Sequence, residues 1–396
     1  MNFKKNNMET IDYEKLSLEE LKEKLNELQK KSLDYHNEEQ AIKLTLNSIY
    51  GALGNNYFIF FNLDVAESVT LQGQDIWKFA EKIINKYFNE MWHLDTELHE
   101  KMGVTNVKKI NSDVVIYGDT DSNYINFGTI INSCTFNGKP FEFIKKLNEY
   151  RLKDYIKKCY EIYAKKRNTE NYQDFEFENL SYNGIFLGKK NYVLNLAWAD
   201  PNKDLFPPGS KIKSTGIELI KWGTPPFARE KITLLLKYIF EKGKNFVIQE
   251  FVKILKEIKN EFKTKTPDQI SMGVSVNNIE KYIINDVEKF EIAKNCPIHV
   301  RAAGYYNYLL NNSKYKSKYA LIYSSDKIKF YYVKTKKNDE NNVFGYLDGS
   351  FPYEIAPPVD YDEQFNRVIL DPINRFIEAI GYNPITPNLF LIKTLF

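Results

Sequence analysis

Cysteine and histidine are scarce in this chain of 396 residues, with three of the first and four of the second. Cys134, Cys159 and Cys296 lie far apart, with neither the even, clustered pattern of a disulfide framework nor the paired spacing of a zinc site. They read as reduced, structural thiols. Neither sign of charge dominates: 55 Lys and Arg stand against 52 Asp and Glu, for a formal charge of +3. Any nucleic-acid surface must therefore be a local patch. No apolar run approaches the length of a membrane span, and residues 1–7 are too polar to lead a signal core. Those absences predict a cytoplasmic protein without membrane contact. The length allows two or three domains.

What is present is organised around Tyr117-Gly118-Asp119-Thr120-Asp121-Ser122, set between the apolar runs Val114–Tyr117 and Tyr124–Phe127. Polar residues at the bend and β-branched or aromatic residues on both flanks predict a tight β-hairpin. Residues two apart on an extended strand share a side, so Asp119 and Asp121 are expected to project together from the tip. Two carboxylates held that close repel one another unless a cation neutralises them. Oxygen-only ligands favour magnesium, with manganese as the alternative. An isolated Asp-x-Asp is equally at home in an ordinary polar turn, and the full six-residue string narrows the choice.

A second pattern stands upstream. Ser17-Leu18-Glu19-Glu20 is a capping box, and Leu21, Leu25 and Leu28 follow at helical spacing. No glycine or proline interrupts residues 18–50, which predicts one long helix or two joined near Ser32–Asn37. Either way Lys43, Asn47 and Tyr50 fall on one helix face. Beyond two glycines, Tyr57–Leu63 reads as a strand. Ala66–Trp92 then reads as a helix with Val69, Ile76, Phe79, Ile83 and Phe88 as its buried stripe, and Phe141–Arg167 as a further helical stretch. Phe175–Glu178 and Gly184–Asn195 alternate like paired strands, and in that reading Lys190 and Tyr192 share a strand face while Lys189 takes the other. Two amphipathic helices are predicted over Phe227–Lys263, and short strands over Ala320–Tyr323 and Ile328–Lys334.

The hairpin string resembles the Tyr-Gly-Asp-Thr-Asp-Ser signature of family B DNA polymerases. Lys43-Leu44-Thr45-Leu46-Asn47-Ser48-Ile49-Tyr50-Gly51 resembles that family's fingers motif, Lys-x-x-x-Asn-Ser-x-Tyr-Gly. Lys189-Lys190-Asn191-Tyr192 resembles its Lys-Lys-x-Tyr element, and the three occur in the family's order. The likeness is strongest to replicative polymerases of tailed bacteriophages and runs over nearly the whole chain. It implies an α+β fold: an antiparallel palm sheet with packed helices, a helical fingers segment and a mostly helical thumb. The expected domains are partial fingers at 1–56, the C-terminal part of the palm at 57–223, and a thumb at 224–396.

The resemblance also implies roles. Asp119 and Asp121 would be catalytic metal ligands, with Glu178 a weaker candidate. Lys43 would contact the phosphates of an incoming dNTP, with Asn47 and Tyr50 beside the nascent base pair. Lys189, Lys190, Tyr192, Lys213 and Gly216 would seat primer-template DNA. Leu389, Phe390, Leu395 and Phe396 belong to an apolar tail, residues 388–396, that either docks on the thumb or plugs into a sliding clamp. The family's other metal-binding aspartate, in Asp-x-x-Ser-Leu-Tyr-Pro, is not in the sequence, nor is a 3′–5′ exonuclease region. The expectation is therefore a DNA-directed DNA polymerase acting in DNA replication in a phage-infected bacterial host. It would depend on an N-terminal polymerase half that brings the exonuclease and the other aspartate, either as the separate polypeptide of a split polymerase or as the rest of a longer gene. The competing expectation is a non-catalytic remnant that holds primer-template or a clamp.

Overall fold

A computed structural model describes residues 16–119, 121–199, 206–217, 223–334 and 341–390. The chain divides into two compact units, residues 1–173 and 174–396.

The first unit opens with α1 (Leu18–Leu53), a single unbroken helix of 36 residues, so the two-helix alternative falls away. Its capping box forms as predicted, with the Glu20 amide donating to the Ser17 hydroxyl and the Ser17 amide to the Glu20 carboxylate. Residues 57–61, expected as a strand, are turns instead. The Phe58 amide donates to the Asn55 carbonyl, Phe61 to Phe58, and Asn62 to Leu53, each close to 3 Å. Local turn bonds thus satisfy the backbone, and the Asn62 side chain then caps α2 (Leu63–Lys86) by accepting from the Val65 amide.

Helix α2 is the spine of this unit. Ile83 is buried as predicted, and so is Phe88 just beyond the helix, but Val69 is 52% exposed because the first turns of α2 pack little. A π-helical turn, Tyr87–Met91, leads to α3 (Thr96–Met102) and then to the hairpin strands β1 (Val115–Asp119) and β2 (Ser122–Ile125). Short α4 (Phe127–Asn132) precedes α5 (Pro140–Leu147) and α6 (Lys153–Lys165), joined through a π-helical turn. Asp75 of α2 accepts from Tyr163 at 2.5 Å and from Arg167 at 2.6 Å, which ties α6 and the residues after it to the spine.

The second unit begins with a three-stranded antiparallel sheet of β3 (Asn179–Gly188), β4 (Asn191–Ala199) and β5 (Ile212–Thr215), with β4 in the middle. Residues 175–178 form no strand, although Phe177 stacks on Trp198 with ring centroids 5.2 Å apart. The two predicted helices follow as α7 (Pro226–Lys242) and α8 (Ile248–Phe262), then α9 (Pro267–Ile270), β6 (Met272–Ser275), α10 (Ile279–Tyr282), and the small pair β7 (Ile283–Asn285) and β8 (Glu291–Ile292). Helix α11 (Ile298–Asn311) packs on a second antiparallel sheet, in which β9 (Lys327–Tyr332) lies between β6 and β10 (Val343–Leu347). The predicted strand at 320–323 is absent because side chains take its place. Asn307 holds both the Ile322 amide and carbonyl at 2.9 Å, and the Tyr306 hydroxyl donates to the Ala320 carbonyl. Helices α12 (Tyr361–Phe365) and α13 (Asp371–Ala379) complete the core around Phe365, Ile373 and Phe376. The architecture is α+β with small antiparallel sheets, as the sequence implies.

Candidate active site

The hairpin closes tightly. Tyr117 pairs with Tyr124, Gly118 with Asn123 and Asp119 with Ser122, all antiparallel. The two tyrosine rings meet edge to face at 5.4 Å. Asp121 stands in the turn, its amide donating to the Asp119 carbonyl at 2.7 Å, and the Ser122 hydroxyl donates to the same carbonyl at 3.1 Å. Thr120 lies outside the described residues. The two carboxylates therefore come to the tip by a different route from the one predicted. Asp119 ends a strand and is half-buried, whereas Asp121 is exposed in the turn, so strand alternation does not set their sides.

Helix α2 holds this hairpin at two points. The Asn85 side-chain oxygen accepts from the amides of Val114 and Val115 at 2.9 and 3.0 Å. The Trp77 indole donates to the Ser122 carbonyl at 3.1 Å. The same indole lies flush against Gly118: a Cβ there would sit 2.0 Å from Trp77 Cζ2. The glycine of the motif is required by that close approach. Neither Trp77 nor Asn85 is singled out by the sequence reading, although Trp77 falls beside Ile76 in the helical stripe.

Lys43, Asn47 and Tyr50 are all exposed on α1. Lys43 and Asn47 line one shallow depression with Glu39, Ile42 and Leu46. Tyr50 shares a 2.6 Å hydrogen bond between its hydroxyl and that of Thr70, where the end of α1 meets α2.

In the second unit, Gly188 pairs with Asn191, which leaves Lys189 and Lys190 as the exposed turn between β3 and β4. This corrects the strand-face expectation: the two lysines occupy a loop, and Lys190 adopts a left-handed φ of 57°. Tyr192 is only 4% exposed and packs against Phe186, two residues beyond Lys190. Gly216, at φ 68°, presses against the loop so closely that a Cβ would lie 1.8 Å from the Lys190 carbonyl oxygen. Lys213, on β5, pairs with Glu178 at 3.7 Å, so this carboxylate has a lysine partner within its own unit. The structure thus gathers Lys189, Lys190, Tyr192 and Gly216 at one end of one sheet. Leu389 and Phe390 close a short 3-10 turn, Pro387–Phe390, while Leu395 and Phe396 lie outside the described residues.

The sequence model of DNA polymerase family B matches residues 14–380. The chain belongs to that family. Among similar proteins, the DNA-directed DNA polymerase of Escherichia phage RB69 is 27% identical over 323 residues, covering 75% of this chain and 33% of that protein. The DNA-directed DNA polymerase of Enterobacteria phage T4 is 24% identical over 273 residues, covering 65% of this chain and 28% of that protein. A DNA polymerase of Pyrococcus glycovorans is 28% identical over 231 residues, with 58% and 22% covered. The chain spans about a third or less of the length of these relatives. The expected likeness to phage polymerases stands on these matches.

For a family B chain the donor chemistry at the hairpin tip is apt. Asp119 and Asp121 offer oxygen ligands alone, which suits magnesium or manganese over softer metals. Among the described residues, no group of three or more His, Cys, Asp or Glu is placed to hold a metal ion. No helix among the described residues is long and apolar enough to cross a membrane.

Proposed function

We propose that this chain is the C-terminal part of a DNA-directed DNA polymerase, adding deoxynucleotides to a primer 3′ end during DNA replication. The observation that carries the reading is the Asp119–Asp121 hairpin tip, held to α2 through Trp77 and Asn85. Magnesium or manganese bound by these two carboxylates would supply charge neutralisation for the attacking hydroxyl and the leaving pyrophosphate. Lys43 places an ammonium for the triphosphate, where negative charge develops as the α-phosphorus is attacked. Asn47 and Tyr50 flank it on the same helix and shape the space for the base. The lysines at 189 and 190 meet the primer backbone without reading sequence, with Tyr192 on the strand that follows and Gly216 close against the loop. Lys213 extends the patch and pairs with Glu178, which is the weaker metal-ligand candidate.

Fingers, palm and thumb are assigned to residues 1–56, 57–223 and 224–396. The remaining family portion, with the exonuclease and a further metal-binding aspartate, is supplied by another polypeptide segment. The tail at 388–396, with Leu389, Phe390, Leu395 and Phe396, docks on a sliding clamp. The setting is the cytoplasm of a phage-infected bacterium.

The test is Asp121→Ala in the polymerase reconstituted with that segment. Incorporation falls by at least about a hundredfold, while affinity for primer-template is retained. Equal loss of binding and incorporation contradicts the catalytic assignment.

A further inference from the structure

Asp121 is exposed in its turn, so packing does not place its carboxylate. The backbone on either side does. The Asp121 amide donates to the Asp119 carbonyl at 2.7 Å, and one residue further on the Ser122 carbonyl accepts from the Trp77 indole at 3.1 Å. The Ser122 hydroxyl turns back onto the Asp119 carbonyl at 3.1 Å, so Ser122 is gripped at both its side chain and its carbonyl.

The two attachments of the hairpin to α2 act at different places. Asn85 holds the amides of Val114 and Val115, both buried, at the end of β1 away from the tip. Trp77 reaches the last rungs before the turn, where Gly118 faces Asn123 and Asp119 faces Ser122. Its ring fills the space a Cβ on Gly118 would take, and its N–H holds the carbonyl of the opposite strand. One indole thus bears on both strands at the tip.

Trp77 is itself presented on a clamped turn of helix. Asp75 accepts from Tyr163 and Arg167, and Phe79 lies against the rings of Tyr163 and Tyr160, with centroids 4.6 and 5.6 Å apart. Asp75 and Phe79, one helical turn apart, share the face turned to α6. Trp77 stands between them in sequence and about 200° round the helix from Asp75, on the opposite face. A donor held in this way can fix a neighbouring group to within a fraction of an ångström.

We infer that Trp77 is a positioning residue for the reaction: its indole N–H, by holding the Ser122 carbonyl, sets where the Asp121 carboxylate stands. The inference deepens the polymerase reading and rests on it. Trp77 acts through Ser122 rather than by meeting the substrate, so its loss reaches the chemical step and not the grip on nucleotide or duplex. A misplacement of about 1 Å at a reacting centre costs about a hundredfold in rate.

The experiment uses the full chain reconstituted with the rest of the polymerase. Trp77→β-(3-benzothienyl)alanine puts sulfur in place of the N–H in a ring of nearly the same shape, so the contact with Gly118 stays while the donor is lost. Trp77→4-fluorotryptophan keeps both and serves as the rescue. Manganese affinity, read from the electron paramagnetic resonance signal of the free ion, reports on the hairpin tip without turnover. The benzothienyl variant lowers kcat at least about tenfold, with KM for nucleotide and affinity for primer-template within about twofold of the parent. It weakens manganese binding at least about threefold, and the melting temperature stays within about 2 °C. The fluorotryptophan variant matches the parent throughout. Unchanged kcat and manganese affinity in the benzothienyl variant, a loss confined to its melting temperature, or an equal loss in the fluorotryptophan variant would overturn the inference. A parent that binds manganese and duplex yet extends no primer strikes the polymerase reading, whereas an active parent matched by the benzothienyl variant strikes the role of Trp77 alone.

Discussion

At the scale of single residues, two glycines carry the geometry of the candidate site. Gly118 lets the Trp77 indole lie against the hairpin and donate to its Ser122 carbonyl. Gly118→Ala forces the indole aside, and overpacking of this kind costs about 1–3 kcal/mol. Thermal unfolding should show a fall of about 2–4 °C for each kcal/mol in a unit of this size. Trp77→Leu in the same chain should cost less than the sum of the two changes, since the clash is then relieved. Gly216 is required twice over, by its φ of 68° and by the Lys190 carbonyl beside it. Lys190 itself pays for a left-handed backbone at φ 57°. Lys190→Gly should therefore leave stability unchanged or raise it by up to about 1 kcal/mol. The same change should weaken duplex binding and lower its salt slope by about one. Stability and affinity moving in opposite directions, read by thermal melts and salt titrations, separate a DNA-contacting loop lysine from a structural one. The aspartates and Gly118 are legible in the sequence because the motif names them. Trp77 is not, because a tryptophan in a helical stripe signals core as readily as a support for a neighbouring turn.

At the scale of elements, helices are read better than strands. The capping box and the lack of breakers suffice for α1, and amphipathic spacing for α7 and α8. The strand expectations at 57–63 and 320–323 fail for one shared reason: aromatic and β-branched composition says nothing of what will pair with the backbone. Turn bonds take the first stretch and the Asn307 side chain the second. Within the second unit, α8 and α12 are joined by Asp362, which meets Lys259 at 2.8 Å and Lys263 at 3.2 Å. Its hydrogen bond to Lys259, with that to Lys263, holds the carboxyl below its ordinary value of 3.8. A lowered carboxylate contributes stability above that ordinary value, and the contribution is lost as pH falls through the lowered one. Asp362→Asn should therefore lower the melting temperature at neutral pH, and the gap to the parent should close as pH drops below 3.8. A gap that stays constant across that range would remove the ion pair from the account.

At the scale of the whole molecule, the order of the three motifs is legible in the sequence, and the family match over residues 14–380 agrees with it. The division into units at residue 173 is not, because no glycine- or proline-rich linker marks it and the contacts within each unit decide it. A hairpin with two carboxylates and a helix with a lysine lie in the first unit and a basic sheet loop in the second, in a chain whose match covers 33% of the phage RB69 polymerase. The direct measurement is primer extension with magnesium and all four deoxynucleotides, using the chain alone and then with a polypeptide carrying the rest of a family B polymerase. The account predicts extension in the mixture that is abolished by Asp121→Ala. Duplex held by the mixture with no nucleotide added would contradict it, and the chain would then be a holder of primer-template without chemistry of its own.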